Sequence, residues 1–91
     1  MEFEWDVTKA QSNVSKHGVT FEAATHAFFD KTARIVEDRR HDYGEDRFSL
    51  FGHIAGRLHV VVFTATNREN KVRLISARRA NKRERKKHGI G

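Results

Sequence analysis

Apolar and polar positions change their period twice along this chain, and each change marks a change of secondary structure. Phe3-Glu4-Trp5 alternates, which suggests a short strand or extended entry. Between residues 7 and 17 the spacing turns helical, with Val7, Ala10 and Val14 on one face. Asp6 or Thr8 can cap this helix, and Gly18 offers the left-handed residue that stops it. Thr20 then caps a second helix, whose apolar stripe is Phe21, Ala24, Ala27 and Phe28.

From Ala33 onward the period is two. Residues 33–37 form an edge strand, 39–45 a polar loop, and 47–54, 58–66 and 71–77 three longer strands. The turns fall at Ala55-Gly56-Arg57 and Asn67-Arg68-Glu69-Asn70, both suited to antiparallel hairpins. Asn81-Lys82-Arg83-Glu84 has the form of a capping box and opens a terminal helix. The predicted order is ααββββα: an α+β fold with a four-stranded antiparallel sheet, two N-terminal helices on one face and a short C-terminal helix.

Alternation assigns Phe48, Leu50, Ile54, Leu58, Val60, Val62, Val72 and Leu74 to the face that receives the N-terminal helices. The opposite face then carries Phe51, His53, His59 and Phe63 among Arg47, Lys71 and Arg73. Rings among cations suit single-stranded nucleic acid, because bases stack while phosphates are neutralised. The plain alternative tucks Phe51 and Phe63 under the terminal helix.

Composition narrows the class. A chain of 91 residues makes one domain, residues 1–91, with one small core. With no cysteine, disulfides and thiolate metal sites are excluded. Met1 is followed by Glu2, Glu4 and Asp6 rather than a basic and apolar leader, and the longest apolar run is residues 60–63, so a cytoplasmic protein with no membrane span is expected.

Charge adds the functional signal. Residues 67–91 carry ten Lys or Arg against Glu69 and Glu84, whereas the first 66 residues hold eight against ten acids. Concentrated in one hairpin strand and one helix, this block is the electrostatic footprint of a polyanion partner. Arg78 and Arg79 leave the last strand, followed within a helical turn by Lys82 and Arg83, and such a cluster can hold a phosphate and stabilise extra charge in a transition state. The single Glu84 cannot neutralise Lys82, Arg83, Arg85, Lys86 and Lys87.

Six histidines supply proton carriers, but none has metal-ligand spacing, so neither a metal nor a cofactor is expected. His26 lies off its helix's apolar stripe, and His17 suits a helix C-terminus. The loop Arg39-Arg40-His41-Asp42-Tyr43-Gly44-Glu45 gathers acid, base and phosphate-binding groups, although such loops are commonly solvated connectors.

Taken in order, Phe3-Glu4-Trp5-Asp6 with Lys9-Ala10 and Asn13, Lys16-His17-Gly18-Val19-Thr20-Phe21-Glu22-Ala23-Ala24, Arg40-His41-Asp42-Tyr43-Gly44-Glu45, Gly56-Arg57, and Arg73-Leu74-Ile75-Ser76-Ala77-Arg78-Arg79-Ala80 with Glu84-Arg85 resemble the BrnT-type toxins of bacterial type II toxin-antitoxin systems. The resemblance covers nearly the whole chain. It implies a RelE-like fold and an RNA-cleaving toxin that halts translation. It further implies neutralisation by a BrnA-type ribbon-helix-helix antitoxin in a 2:2 assembly that binds operator DNA through the antitoxin. Two positions depart from the family's common pattern: Asn81 stands where members carry Thr, and His88 where they carry Tyr.

The leading expectation is a metal-independent endoribonuclease acting on mRNA, free or on the ribosome. A base deprotonates a ribose 2′-OH, cations hold the scissile phosphate, and an acid protonates the leaving 5′-oxygen. Arg73 and Arg78 are the candidates for phosphate stabilisation, with Arg57, Lys82, Arg79 and Arg83 binding RNA; His41, Tyr43 and Glu45 are the acid or base candidates, with Lys16 and His17 as another pair. Two other classes fit the same charge. One is a noncatalytic RNA- or ribosome-binding module; the other is a basic surface used first for an acidic antitoxin segment.

Overall fold

The alternating half of the sequence builds three long antiparallel strands, β3 (Arg47–Ile54), β4 (Arg57–Ala65) and β5 (Lys71–Arg79). The computed structural model describes residues 1–38 and 45–89. Among these, β1 is Glu2–Glu4, α1 Val7–His17 and α2 Phe21–Ala24; α2 runs on as a 3-10 turn over Thr25–Phe29, followed by β2 at Arg34–Asp38. The terminal helix α3 is Lys82–His88. The sheet order is β1-β5-β4-β3-β2.

The sheet has five strands rather than the expected four, because Glu2–Glu4 pairs with β5 in parallel. The alternation at Phe3-Glu4-Trp5 suggests a short strand there, but three residues carry too weak a period to place it in the sheet; its partner does that. The local signals performed better. Asp6 and Thr20 cap their helices through side-chain oxygens, and Gly18 ends α1 in the left-handed conformation. Asn81 and Glu84 form the complete capping box of α3.

Two face assignments are corrected. On β4, Val61 and Phe63 join the core under α2, whereas Leu58 and Val60 pack with Phe51 and Ala80 on the opposite side. The cause is the turn. Ala55 and Gly56 both have positive φ, 50° and 80°, as a two-residue type I′ hairpin requires, so Ile54 pairs with Arg57 rather than Leu58. One residue fewer in the turn moves every β4 side chain to the other face. Phe63 is therefore a core residue, and Phe51 lies beneath α3, so the expected stacking surface for bases is absent.

On α1, Val7 and Val14 are 67% and 44% exposed, and the buried residue is Asn13. Its amide nitrogen donates to the carbonyls of Val19 (2.9 Å) and Ala77 (2.8 Å), while its oxygen accepts from the Ala77 N–H (3.0 Å). β1 covers β5 only from Lys71 to Arg73. Further along, Asn13 replaces the missing strand at Ala77, and these hydrogen bonds rather than the valine stripe set the rotation of α1.

The main core lies between α2 and the sheet, where Phe21, Ala24, Ala27, Val61 and Leu74 are fully or almost fully buried. Phe3, Phe28, Phe63 and Phe48 run through it in successive ring contacts of 5.0, 5.1 and 5.5 Å. The 3-10 turn presses so closely on β3 that a Cβ at Gly52 would lie 2.6 Å from the Ala27 carbonyl oxygen. Among the described residues, no helix is long and apolar enough to cross a membrane.

Candidate nucleic-acid interface

β5 extends two residues beyond its expected end, so Arg78 and Arg79 lie within the strand, opposite Val60 and His59. Ala80 then packs with Leu58, Val60 and Phe51, which brings α3 back across the sheet face not covered by α2. Three contacts fix it there. Arg78 grips Glu84 with two hydrogen bonds of 2.8 Å, one to each carboxylate oxygen. The His88 ring stacks on Phe51 with centroids 3.8 Å apart and planes 17° apart. Arg85 donates to the Ala80 carbonyl at 3.1 Å.

Glu84 also accepts the Asn81 N–H at 2.9 Å, so its carboxylate is occupied by the cap and by Arg78 rather than by other helix cations. The Arg78 hydrogen bonds are the main reason its carboxyl lies below the usual range; the cap amide and the Arg78 charge add to this, with His88 contributing less and burial opposing. Among the described residues, no ion pair joins Lys82, Arg83, Arg85, Lys86 or Lys87 to a carboxylate.

α3 divides this face into two clefts. On one flank Arg78, Arg83, Lys87 and His88 face Glu37 and Asp38 of β2 over a floor that includes Phe51. On the other flank the lining holds Arg57, Arg79, Arg85 and His53, with no carboxylate among the lining residues. The second cleft is the better suited to an anion, since three arginines and no carboxylate line it.

The remaining candidates distribute as follows. Arg73 lies opposite Thr64, five residues along β5 from Arg78 or about 16 Å at strand rise. Its guanidinium binds Glu4 at 2.6 and 2.7 Å, Lys71 meets the same carboxylate at 3.3 Å, and together they hold the Glu4 carboxyl below its usual range. Glu45 shares a cleft with Arg73 and pairs with Arg47 at 3.3 Å. Arg73 and Glu45 are thus brought together, but away from Arg78. Lys82 is exposed at the start of α3, while Lys16 and His17 are exposed at the end of α1 and line neither cleft. His41 and Tyr43 lie outside the described residues.

One pair escaped the sequence reading. Asp30, which ends the 3-10 turn, accepts the backbone N–H of His53 at 2.6 Å and lies 2.7 Å from its ring Nδ1 through the same oxygen, Oδ2. Its Oδ1 accepts from the Thr32 N–H and hydroxyl at 2.9 and 2.8 Å. The Thr32 amide, then the His53 amide and ring, keep the Asp30 carboxyl well below the usual range against the opposing effect of partial burial. The local signal was the Asp30-Lys31-Thr32 turn, whose first residue characteristically bonds the backbone two positions on. Nothing local announced its partner 23 residues away.

A cationic face with pre-formed clefts and a carboxylate-held imidazole suits phosphodiester binding and proton transfer. Comparison with curated proteins finds no match. The family model described as the ribonuclease toxin, BrnT, of type II toxin-antitoxin systems matches residues 5–84, spanning every helix and strand except β1 and the end of α3. The chain therefore belongs to the BrnT family of ribonuclease toxins.

Proposed function

We propose that this protein is a metal-independent endoribonuclease that cleaves mRNA at the α3 face and thereby inhibits translation. The observation that carries the reading is that Arg57, Arg79 and Arg85 line one cleft with no carboxylate in its lining, beside a helix whose other cations are in no ion pair among the described residues. RNA brings its own nucleophile. Attack of a 2′-oxygen on the adjacent phosphorus breaks the bond to the 5′-oxygen and leaves a 2′,3′-cyclic phosphate. The protein has to hold the phosphate, spread its added negative charge and move protons. Arg57 and Arg79 fill the binding role, Arg83 and Lys82 guide the flanking strand, and Arg78 sets the helix that presents them. Arg73 and Lys16 lie outside both clefts and serve the more distant backbone. His41, Tyr43 and Glu45 remain acid or base candidates through the loop they share.

The partners follow from the same reading. A BrnA-type ribbon-helix-helix antitoxin forms a 2:2 complex with this single RelE-like domain in the cytoplasm, covers part of the basic face, and carries operator DNA contacts of its own. A noncatalytic binding module is the less favoured reading, because Phe51, the ring available for stacking on this face, is already covered by His88.

The test is incubation of purified protein with RNA in EDTA, beside Arg57→Ala and Arg79→Ala variants. Cleavage to cyclic-phosphate ends by the parent, with loss of at least tenfold in each variant, is expected. Binding without product at any protein concentration would return the protein to the binding-module class. Antitoxin and RNA should compete, since both need the cationic face.

A further inference from the structure

We propose that His53 is the general base of the cleavage reaction and that Asp30 positions it. The inference rests on the ribonuclease reading above and names the group that reading leaves open.

Four observations carry it. His53 lines the cleft of about 430 Å³ that also holds Arg57, Arg79 and Arg85, a volume within the range of small-ligand sites. Its Nδ1 is 2.7 Å from Asp30 Oδ2, so Nδ1 carries the proton and donates to the carboxylate. That tautomer leaves the lone pair on Nε2, where a base needs it. Finally, Asp30 is itself held by Thr32 and by the His53 backbone, so the carboxylate has one orientation rather than several. An imidazole turned by a buried-edge carboxylate is a recurrent arrangement for proton abstraction.

Among the described residues, two groups contact this ring and three cations share its cleft. Asp30 and Thr32 meet the ring from the segment before β2, and Arg57 of β4, Arg79 of β5 and Arg85 of α3 line the same cleft. His59 stands opposite Gly52 in the register, one position before the His53 pairing with Leu58, and its Nδ1 donates to the Arg57 carbonyl at 2.8 Å. It is a buried structural histidine, 6% exposed, and offers no competing base in the cleft.

In the step proposed, Nε2 of neutral His53 takes the proton of the ribose 2′-OH as the 2′-oxygen bonds to phosphorus. The bond from phosphorus to the 5′-oxygen breaks, and that oxygen takes a proton from water. His53 then returns its proton to solvent, so no net proton is consumed. The guanidinium groups hold the phosphate oxygens throughout.

General-base catalysis predicts a rate that rises with pH. The experiment measures cleavage of an RNA oligonucleotide against pH for the full chain, His53→Ala and Asp30→Asn, with binding followed on the same oligonucleotide carrying a 2′-deoxyribose at the cleaved position. His53→Ala should lose about 100-fold or more in rate, bind the deoxy analogue as the parent does, lose the rising limb, and regain part of its rate on adding imidazole. Asp30→Asn should lose about tenfold and keep a rising limb, displaced along the pH axis. Because Asp30 also holds the His53 backbone, removing the ring leaves that anchor in place, and circular dichroism checks the fold. A folded His53→Ala protein with parental rate and pH profile would overturn the assignment while leaving the ribonuclease reading intact. A parent chain that cleaves no RNA would overturn both.

Discussion

Arg78 and Glu84 are joined by two parallel 2.8 Å hydrogen bonds, so the last strand and the last helix move as one unit. An arginine expected from the sequence to hold phosphate is, in the fold, the clamp that seats α3 against the sheet. Arg78→Ala should therefore lower stability by about 1–2 kcal/mol, read as a shift of the urea midpoint. Arg78→Lys should recover the charge but not the fork, and hence only part of the loss.

Acid should weaken the fold through two carboxylates. Asp30 and Glu84 both have folded-state values below their ordinary 3.8 and 4.5, so the unfolded chain binds protons more readily. Their stabilisation is complete above those ordinary values and is lost as pH falls through them toward the folded-state values. Urea midpoints measured from pH 7 down to about pH 2 should fall below roughly pH 5, and Asp30→Asn should flatten part of that decline.

Asn13 is the buried polar residue whose loss should be felt most. Asn13→Ala leaves both backbone groups of Ala77 and the Val19 carbonyl without their side-chain partner, at a cost of about 3 kcal/mol. Asn13→Asp should be worse, since it turns the donor facing two carbonyls into a charged acceptor. Thermal melts of both variants order the two effects.

Gly52→Ala should destabilise by about 2 kcal/mol, because its methyl group would meet the Ala27 carbonyl oxygen at 2.6 Å on a tightly seated 3-10 turn. Since His53 follows directly, this variant should also lower cleavage more than binding.

Salt titrations separate guidance from chemistry. Arg83→Ala and Lys87→Ala should each reduce the slope of log affinity against log salt by about 0.7 on single-stranded RNA. Their cleavage rates at saturating RNA should stay near the parent's, which Arg57→Ala and Arg79→Ala should not match.

What was legible in the sequence was local. Caps at Asp6, Thr20 and Asn81, the left-handed Gly18 and the edge strand were all written in adjacent residues, and they stand in the fold. What was not legible depends on partners far along the chain. The short strand suggested at Phe3-Glu4-Trp5 joins the sheet because Lys71 to Arg73 offers it an edge, a pairing that no local signal shows. Asn13 is buried where its amide serves Ala77 and Val19, neither of which lies within a helical turn of it. Arg73 and Arg78 look like neighbours in a basic run, yet strand rise separates them and different acids claim them. His53 was visible as one of several polar residues on a strand; the carboxylate that singles it out is 23 residues away.

The Ala55-Gly56 turn also bears on how sequences of this kind can change. β4 is apolar on both sides, so an inserted or deleted turn residue would still leave a strand that can bury a greasy face, and a simple loss-of-solubility screen would be a poor detector of the error. What would vanish is function: Leu58 and Val60 would trade places with Val61 and Phe63, the seat of α3 would be lost, and the arginine cleft with it. Two turn residues that bring no chemical group of their own thus act as the reading frame of the site.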